Sequence, residues 1–546
     1  MIPDRPSRRA FRSAGLLLLL LLMLGAVSPP PVGLAAAPLS VSTPVAEPGP
    51  GDADPVLYAP ILPDQREEIY AETAGELSRY RIEARLDPGG EDRLTTVTGT
   101  EDLLFYNATG GSLTQVFFRL YANGPEYGEG AIVLRDVEVE GARVTPELLP
   151  DDPTSPTRGD ETIARLPLPD PIPAGGTATI RMGFTTTVPT QPRESYGIFS
   201  RQDDVGTVAL AHWYPILAGF DATGEPELRP LSRFGDPIFS NTALYDVAIT
   251  APADLVLVAT GSETEVEEGG DDMRHRYVTG PVRDFTIVAD DDYVSVSQEV
   301  DGTTVTSYYN PEHAAGGAAV LQYATQSLEI FNDLFGPYPY AELDLVDVAL
   351  RNGAAGVEFP QLLYIGHDYY DNPAAEDARP GFLEYVVAHE VAHQWWYAMV
   401  GNDQYVDAFI DEGLTNYVTI VYFERQYGAE EGALQREINL LEPYRDALVT
   451  IGDEVIHQPT DDFPSAGAYG VMTYAKAPLG FEALRAEIGD EAFFAALRTY
   501  ADRMQFDVAV PADLRAAFER ASGQDLAEFW RHWFEAAEGE QDVQPA

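Results

Sequence analysis

Apolar and polar residues follow two different periods along the chain, and the change between them divides the sequence. Up to about residue 300, short stretches alternate between polar and apolar residues, as a strand with one buried face does. Tyr80 to Leu86 is the clearest example, and residues such as Gly, Pro, Asp and Asn separate it from the next stretch. The pattern predicts an N-terminal all-β domain, a saddle or sandwich, over residues 67–304.

From residue 314 the apolar residues recur at the spacing of a helix face. Residues 314–334 predict one long helix that stops at Gly336, followed by a strand from Leu343 to Leu350. Further helices are predicted at 412–427, 433–448, 479–488, 491–503, 512–521 and 526–537, with a Gly- and Tyr-rich loop at 466–474. The fold class is therefore multidomain α+β, with a mostly α-helical domain at 305–537 and an acidic tail at 538–546.

The first 66 residues have the pattern of an export segment and a linker. Four arginines precede the leucine-rich run at 16–22, and three alanines at 35–37 offer a cleavage site. We interpret residues 1–37 as a signal peptide, with a retained membrane anchor as the alternative, and residues 38–66 as a Pro- and Ala-rich linker. The protein is then secreted or held in the cell envelope of a bacterial-type cell.

Charge and cysteine usage exclude several classes of function. The chain has 88 acidic against 34 basic residues, a net charge of −54, and its one lysine is Lys476. Nucleic acid is therefore not expected as a partner, and no stable membrane partner is expected beyond the export signal. Because the chain has no cysteine, disulfides, thiolate metal sites and thiol catalysis are excluded.

The candidate chemistry lies in His389-Glu390-Val391-Ala392-His393. On a helix, His389 and His393 lie on one face and can present two imidazoles to one Zn²⁺. Glu390 is placed to act on water, and Glu412, with eighteen residues between it and His393, is the expected third donor. Three protein donors leave the fourth position of a catalytic zinc open. The simpler alternative is an ordinary helix that happens to carry two histidines.

These residues resemble the gluzin metallopeptidases of the aminopeptidase N family, whose relatives include leukotriene hydrolase. The resemblance rests on the His-Glu-x-x-His motif, on Asp411-Glu412-Gly413, on Tyr474-Ala475-Lys476 and on Ala355-Gly356-Val357-Glu358. It implies a thermolysin-like catalytic domain with one Zn²⁺ per chain. The sequence resembles a short form of the family, without the C-terminal helical domain of longer relatives.

The resemblance also implies roles for single residues. His389, His393 and Glu412 would bind the metal, and Glu390 would be the general base. Tyr474 would donate a hydrogen bond to the oxyanion, with Tyr469 as a possible helper. Glu358 would bind the free α-amine of a peptide, next to Gly356 and Val357, and the strand at 343–350 would pair with the peptide backbone. Val357 and Phe359 depart from the family's Met and Asn, and Ala477 replaces a Gly, which weakens any statement on substrate preference.

The resulting expectation is an exported zinc aminopeptidase whose partner is a peptide with a free N-terminus. A zinc endopeptidase with an open cleft, or a non-catalytic peptide-binding protein on the same fold, are the alternatives. Asn416 is a candidate for orienting a ligand, and the cluster from His212 to Pro215 is either core or cleft wall. We interpret His367, His457 and His532 as structural, and the sequon at Asn107 as a turn.

Overall fold

A computed structural model describes residues 54–90, 93–150, 161–192, 195–203, 205–232, 235, 238–371 and 381–543. The predicted signal peptide and the first part of the predicted linker lie outside the described residues. Within the described part of the chain, no helix is long and apolar enough to cross a membrane.

Alternating side chains build the β-rich half, as β1 (Ser78–Asp87) illustrates. Tyr80, Ile82, Ala84 and Leu86 are buried, whereas Arg81, Glu83 and Arg85 between them face solvent. The described residues add β2 (Thr95–Tyr106), β3 (Leu113–Arg119), β4 (Ala131–Val139), β5 (Ala142–Arg143), β6 (Glu147–Leu149), β7 (Ile163–Ile172), β8 (Thr177–Val188), β9 (Phe199–Arg201), β10 (Val208–Leu210), β11 (Ile216–Leu217), β12 (Ala243–Pro252), β13 (Val256–Ala259), β14 (Ser262–Glu268), β15 (Asp272–Val282) and β16 (Ile287–Asp290).

Three sheets are formed by these strands. The largest has eight strands in the order β14-β15-β12-β1-β2-β8-β4-β5, in which only β1 and β12 run parallel. Two four-stranded sheets have the orders β13-β16-β10-β9 and β11-β3-β7-β6. The antiparallel pairing is consistent with the alternating pattern, because such sheets bury one face and expose the other.

A fourth sheet, of five strands, is mixed and has the order β17-β18-β19-β21-β20. Its members are β17 (Val294–Val300), β18 (Thr303–Tyr309), β19 (Glu342–Val348), β20 (Gly356–Phe359) and β21 (Leu362–Gly366). The central strands β18, β19 and β21 are parallel, and the edge strands β17 and β20 are antiparallel to their neighbours. The expected domain boundary between residues 304 and 305 lies within β18, and the domain division stays a prediction.

The described helices are concentrated in the second half of the chain, as predicted. They are α1 (Arg66–Thr73), α2 (Ala314–Phe335), α3 (Phe382–Ala392), α4 (Gln404–Ala408), α5 (Leu414–Tyr427), α6 (Ala429–Arg436), α7 (Glu442–Thr450), α8 (Ala466–Val471), α9 (Ala477–Ile488), α10 (Asp490–Met504), α11 (Pro511–Ser522) and α12 (Ala527–Trp530). Wider π-helical turns occur at Gln394–Met399, Phe409–Gly413, Glu437–Leu441, Met472–Lys476 and Arg531–Glu535. The predicted fold class, a β-rich half followed by a helical catalytic half, is confirmed.

The structure differs from the sequence-based expectation at three segments. Residues 466–474, expected as a loop, form α8 and the turn after it, and the hydroxyl of Ser465 accepts the Ala468 N–H at the start of this helix. Residues 54–66 of the expected linker are packed rather than loose, because Tyr58 and Ile61 are fully buried. In the acidic tail, Gly539–Gln541 form a helical turn and Val543 is buried.

Two smaller expectations concern the β-rich half. The aromatic cluster is core, because His212, Trp213 and Tyr214 are all buried, and the His212 ring also contacts that of Phe359 on β20. Asn107 is also buried, and its amide donates to the carbonyls of Gly111 and Ile172. Its carboxamide oxygen accepts from the backbone and hydroxyl of Thr109. The sequon is therefore a structural turn whose asparagine is closed to modification.

Candidate metal centre

Three donor atoms from two elements meet at one point. The Nε2 atoms of His389 and His393 lie 3.1 Å apart, and both face Oε2 of Glu412, at 3.1 and 3.3 Å. A tetrahedral ion with bonds of about 2.0 Å holds its ligands about 3.3 Å apart. The three separations therefore match one face of a zinc tetrahedron, and the predicted metal donors are brought together.

The two imidazoles are fixed because α3, the helix that carries them, has no solvent-exposed face. Every residue of α3 from Leu383 to Ala392 is buried, so the helix lies in the core with its ligands fixed. At its start, the carboxylate of Glu384 accepts hydrogen bonds from the hydroxyls of Tyr422 and Tyr427, both at 2.6 Å. These bonds tie α3 to α5, the helix that follows Glu412.

The turn that carries Glu412 depends on the absence of a side chain at Gly413. A Cβ atom at Gly413 would lie 2.7 Å from the Cβ of Ala477, so only glycine lets this turn approach the start of α9. The exit of the zinc-motif helix is held separately. The buried guanidinium of Arg283 donates to the carbonyls of Tyr397 and Met399 in the π-helical turn after His393.

The electrostatic surroundings favour a bound cation. Burial lowers the pKa of His389. At His393 burial acts in the same direction, but the carboxylates of Glu358 and Asp411 raise the pKa well above its usual value. At Glu412 burial acts to raise the pKa, yet the hydrogen bonds from the two imidazoles hold it below its usual range. A divalent metal ion would satisfy this excess of buried negative charge.

Asp411 and the Trp396 carbonyl fix the far side of the second imidazole. Nδ1 of His393 lies 3.0 Å from Oδ1 of Asp411 and 3.1 Å from the carbonyl oxygen of Trp396. Such partners orient a metal-binding histidine and leave its Nε2 lone pair for the ion. The sequence places Asp411 in the motif without assigning it a role. Its position next to Glu412 is the feature that could have indicated one.

Tyr474 lies where the resemblance predicts. Its hydroxyl donates a hydrogen bond to Oε1 of Glu412, and its pKa is raised well above the usual value, first by burial and then by this carboxylate. Its carbonyl accepts from the amide of Asn416, whose own oxygen accepts from Tyr385. Asn416 therefore positions Tyr474. Tyr469 forms a wall instead, because its hydroxyl abuts Gly235 in the β-rich half.

The edge strand β20 brings the expected amine-binding residue to the same cavity. Glu358 is 6% exposed, and it lines a cavity of about 500 Å³ together with Gly356, Val357, Glu390 and the metal donors. A Cβ atom at Gly356 would lie 2.3 Å from Oε1 of Glu390, so glycine is needed for the strand to approach the helix this closely. Among the described residues that line this cavity, none is Lys or Arg.

The expectation that the strand at 343–350 pairs with a peptide is wrong. That strand, β19, is hydrogen-bonded to β18 on one side and to β21 on the other, so its backbone groups are already used. The open edge belongs to β20, which pairs with β21 alone. The sequence predicts strands but not their order in a sheet, and so it pointed to the wrong strand.

The β-rich half contributes a wall of the cavity that sequence reasoning did not find. Tyr196 and Ile198 line the cavity directly. Their segment is joined to the end of β19, since Gln202 bonds both the N–H and the carbonyl of Ala349. The N–H of Arg351 also donates to the carbonyl of Tyr196 at 2.9 Å. No motif marks these residues, because the contact depends on folding across the two halves.

The three histidines interpreted as structural do not join the centre. His457 contacts Asp407 at 2.9 Å, and His532 lies between Glu538 and Asp542. His367 contacts Asp347 at 2.8 Å. For His457 and His532, these ion-pair contacts agree with the structural interpretation.

A single-metal centre on a buried helix, beside the open edge of a mixed sheet, defines a zinc metallopeptidase fold. Residues 320–533 match the Peptidase family M1 domain. Together with the relatives below, this match shows that the helical half of the chain is similar to the M1 peptidases, aminopeptidase N among them.

Sequence relatives are similar over part of the chain. Aminopeptidase M1-B of Oryza sativa subsp. japonica is 24% identical over 371 residues, which are 66% of this chain and 40% of that protein. Aminopeptidase N of Lactococcus lactis subsp. lactis is 32% identical over 236 residues, which are 39% of this chain and 26% of that protein. The chain thus spans less than half the length of these relatives.

Solved structures are similar over most of the chain. The M1 zinc metallopeptidase of Deinococcus radiodurans matches with a TM-score of 0.62 at 17% identity, covering 85% of this chain and 94% of that one. A mutant of an M1 zinc metallopeptidase from the same organism, bound to a Tyr-Ser-Ala substrate, matches with a TM-score of 0.61 at 18% identity. It covers the same shares of the two chains. These likenesses show that the fold is shared.

Proposed function

We propose that the protein is a zinc-dependent aminopeptidase that removes residues from the free N-terminus of peptides. The observation that carries the proposal is the position of Glu358, a buried carboxylate on the open edge strand β20, in the same cavity as the three metal donors. The M1 relatives and the peptide-bound structure of a family member support a peptide substrate.

His389, His393 and Glu412 would hold the catalytic zinc ion. When bound, zinc supplies a Lewis acid that makes water nucleophilic at neutral pH and polarises the scissile carbonyl. Asp411 and the Trp396 carbonyl keep the His393 ring oriented for this task. The buried α3 keeps both imidazoles from moving during turnover.

Glu390 moves the proton. It is 5% exposed and lines the cavity one residue after the first donor, so it reaches a water there without binding the metal itself. It takes the proton of the attacking water and returns it to the leaving amine as the peptide bond breaks. The strand residue Gly356 packs against its carboxylate and limits its movement.

Tyr474 stabilises the negative charge that develops on the carbonyl oxygen. In the structure its hydroxyl donates to Glu412, and on substrate binding its single proton would turn to the carbonyl oxygen instead. Because burial keeps its pKa high, the phenol stays protonated and able to donate at neutral pH. One such donor contributes about 3 kcal/mol to transition-state binding.

Glu358 and the edge of β20 set the register of the substrate. The free edge of β20 adds the peptide as a further strand, with Gly356 and Val357 offering backbone groups. The carboxylate of Glu358 then pairs with the α-ammonium group, which only the first residue of a peptide carries. This ion pair, rather than the length of the cleft, fixes the position of the first residue of the substrate. The enzyme therefore cleaves at a set distance from the N-terminus.

Export from the cytoplasm is part of the proposal. The arginines before the leucine run at 16–22 and the alanines at 35–37 support a cleaved signal peptide. The mature enzyme would then act outside the cytoplasm, where a chain without cysteine needs no oxidising pathway to fold.

The test compares free and N-acetylated peptides of the same sequence on the zinc-loaded full chain. We expect hydrolysis of the free peptides alone, and we expect Glu358→Gln to reduce kcat/KM by at least 10²-fold with zinc content unchanged. Glu329→Gln, an exposed glutamate on α2, is the matched control and should retain activity. Equal cleavage of blocked peptides would replace the aminopeptidase with an endopeptidase.

A further inference from the structure

A second group of metal-binding side chains lies outside the catalytic cavity. It consists of His313 in the turn before α2, Asp347 on β19 and His367 in the turn after β21. One ligand atom from each of the three lies within 4.8 Å of the others. None of the three lines the catalytic cavity described above.

Asp347 orients both imidazoles of this group. Its side chain is fully buried, Oδ2 accepts from Nδ1 of His313 at 2.6 Å, and Oδ1 accepts from Nδ1 of His367 at 2.8 Å. A carboxylate that accepts a hydrogen bond from the Nδ1–H of a neutral histidine leaves the lone pair on Nε2. The same arrangement lies behind most metal-binding histidines, whose ring is fixed by a carboxylate or carbonyl.

A further carboxylate reaches the outer side of the first ring. Oδ1 of Asp371 lies 3.3 Å from Nε2 of His313, the same separation as between Nε2 of His393 and Oε2 of Glu412 in the catalytic triangle. The centroids of the two rings are 4.3 Å apart, so the two imidazoles lie side by side. The Asp371 side chain is 81% exposed, which opens the group to ions from solvent.

We propose that the group of His313, Asp347 and His367, with Asp371 beside the His313 ring, binds a second divalent transition-metal ion of the zinc class. Two imidazoles and a carboxylate suit Zn²⁺ better than Ca²⁺ or Mg²⁺, which prefer oxygen ligands alone. The ion joins the start of α2 to the segment after β21, across the ends of two parallel strands. Its role is to stabilise that end of the mixed sheet.

The test counts zinc in the full chain after the catalytic donors have been removed. His389→Ala with His393→Ala eliminates the first site, and equilibrium dialysis against micromolar Zn²⁺, followed by elemental analysis, measures what remains. We expect two zinc ions per wild-type chain and one per double variant. Adding His367→Ala should remove the remaining ion, while the far-UV circular dichroism shows whether the fold is kept.

Two further variants separate metal binding from folding. Asp371→Asn changes an exposed side chain and should weaken zinc binding at least tenfold in the double variant, and Asp347→Asn should weaken it roughly 10- to 100-fold. His532→Ala is the matched control, because His532 also contacts two carboxylates but its neighbouring ring is that of Trp533 rather than a second imidazole, and it should leave binding unchanged. A double variant that binds no zinc, or an equal loss on His532→Ala, would overturn the proposal. Neither result touches the catalytic proposal.

Discussion

Two side chains with different tasks face the catalytic donors from separate elements. In the proposed mechanism, Glu390 from α3 releases and accepts a proton, whereas Tyr474 from the turn before α9 only donates a hydrogen bond. The hydroxyl of Tyr474 already rests on Glu412, so its loss would affect the reaction without emptying the cavity. Single substitutions can therefore separate metal binding from catalysis.

We expect Tyr474→Phe to lower kcat roughly 10²- to 10³-fold, because one oxyanion donor is lost. KM should change little, since the aromatic ring and the cavity wall remain. Aminoacyl fluorogenic substrates measure both parameters, and elemental analysis checks that zinc stays bound. Tyr469→Phe is the matched control, as its hydroxyl faces Gly235 rather than a donor. Equal losses in the two variants would contradict the assignment.

We expect Glu390→Gln to reduce kcat/KM roughly 10²- to 10⁴-fold, the usual contribution of a general base. An amide has nearly the same shape as the carboxylate, so the contact with Gly356 is kept and zinc content should not change. A variant that loses zinc together with activity would instead place Glu390 among the ligands.

Asp290, far from the motif, gives a prediction on pH. Burial raises the pKa of Asp290 to about 6, although the Thr207 hydroxyl and the Asp292 N–H act to lower it. The folded chain thus keeps a proton between pH 4 and 6 that the unfolded chain releases. This group therefore destabilises the fold as pH rises through that window, by up to about 3 kcal/mol.

Asp290→Asn should remove this penalty. Relative to wild type, the unfolding free energy of the variant should increase by about 1–3 kcal/mol between pH 4 and pH 7. Urea unfolding at several pH values measures the difference, and Asp254→Asn, an exposed aspartate, serves as the control. A difference that does not vary with pH would show that Asp290 is ionised in the folded chain throughout.

At the scale of elements, the site depends on how closely β20 approaches α3. Gly356→Ala would place a methyl group 2.3 Å from the carboxylate of Glu390, so either the strand or the carboxylate must move. We expect kcat/KM to fall at least tenfold while zinc content and secondary structure are kept. Gly470 lines the same cavity, and no atom lies within 4 Å of the carbon that Gly470→Ala would add. This control variant should therefore retain activity.

The sequence predicted the parts of the site that follow from local spacing. Two imidazoles four residues apart must share a helix face, and Glu412 lies in the next helical segment. The identity of the substrate strand could not be predicted, because β19 and β20 differ in their neighbours and not in their local pattern. His313, Asp347 and His367 were not recognised as a group, since 34 and 20 residues separate them along the chain.

The helix at 466–471 was missed for a related reason. Its Gly and Tyr residues favour turns on local propensity, and tertiary packing against the cavity overrides that preference. Likewise, the burial of residues 54–66 depends on contacts with residues near 340, including the bridge between Ile61 and Tyr340. Long-range contacts of this kind leave no periodic signal in the sequence.

At the scale of the whole molecule, charge dominates the surface. The net charge is −54, and the one lysine, Lys476, is fully buried with its ammonium group 2.8 Å from Asp453. Repulsion among the surface carboxylates opposes the compact state, and salt screens it. We expect Tm to rise when KCl is increased from 50 mM to 1 M. A Tm that falls or stays constant would mean that attractive ion pairs outweigh the repulsion.

The central claim is that two imidazoles and one carboxylate hold a catalytic zinc ion beside the open edge of β20. Anomalous diffraction at the zinc edge, from crystals of the zinc-loaded full chain, tests it most directly. The account predicts a peak within about 2.2 Å of Nε2 of His389, Nε2 of His393 and a carboxylate oxygen of Glu412. Zinc-loaded crystals with no peak among these three side chains would contradict it.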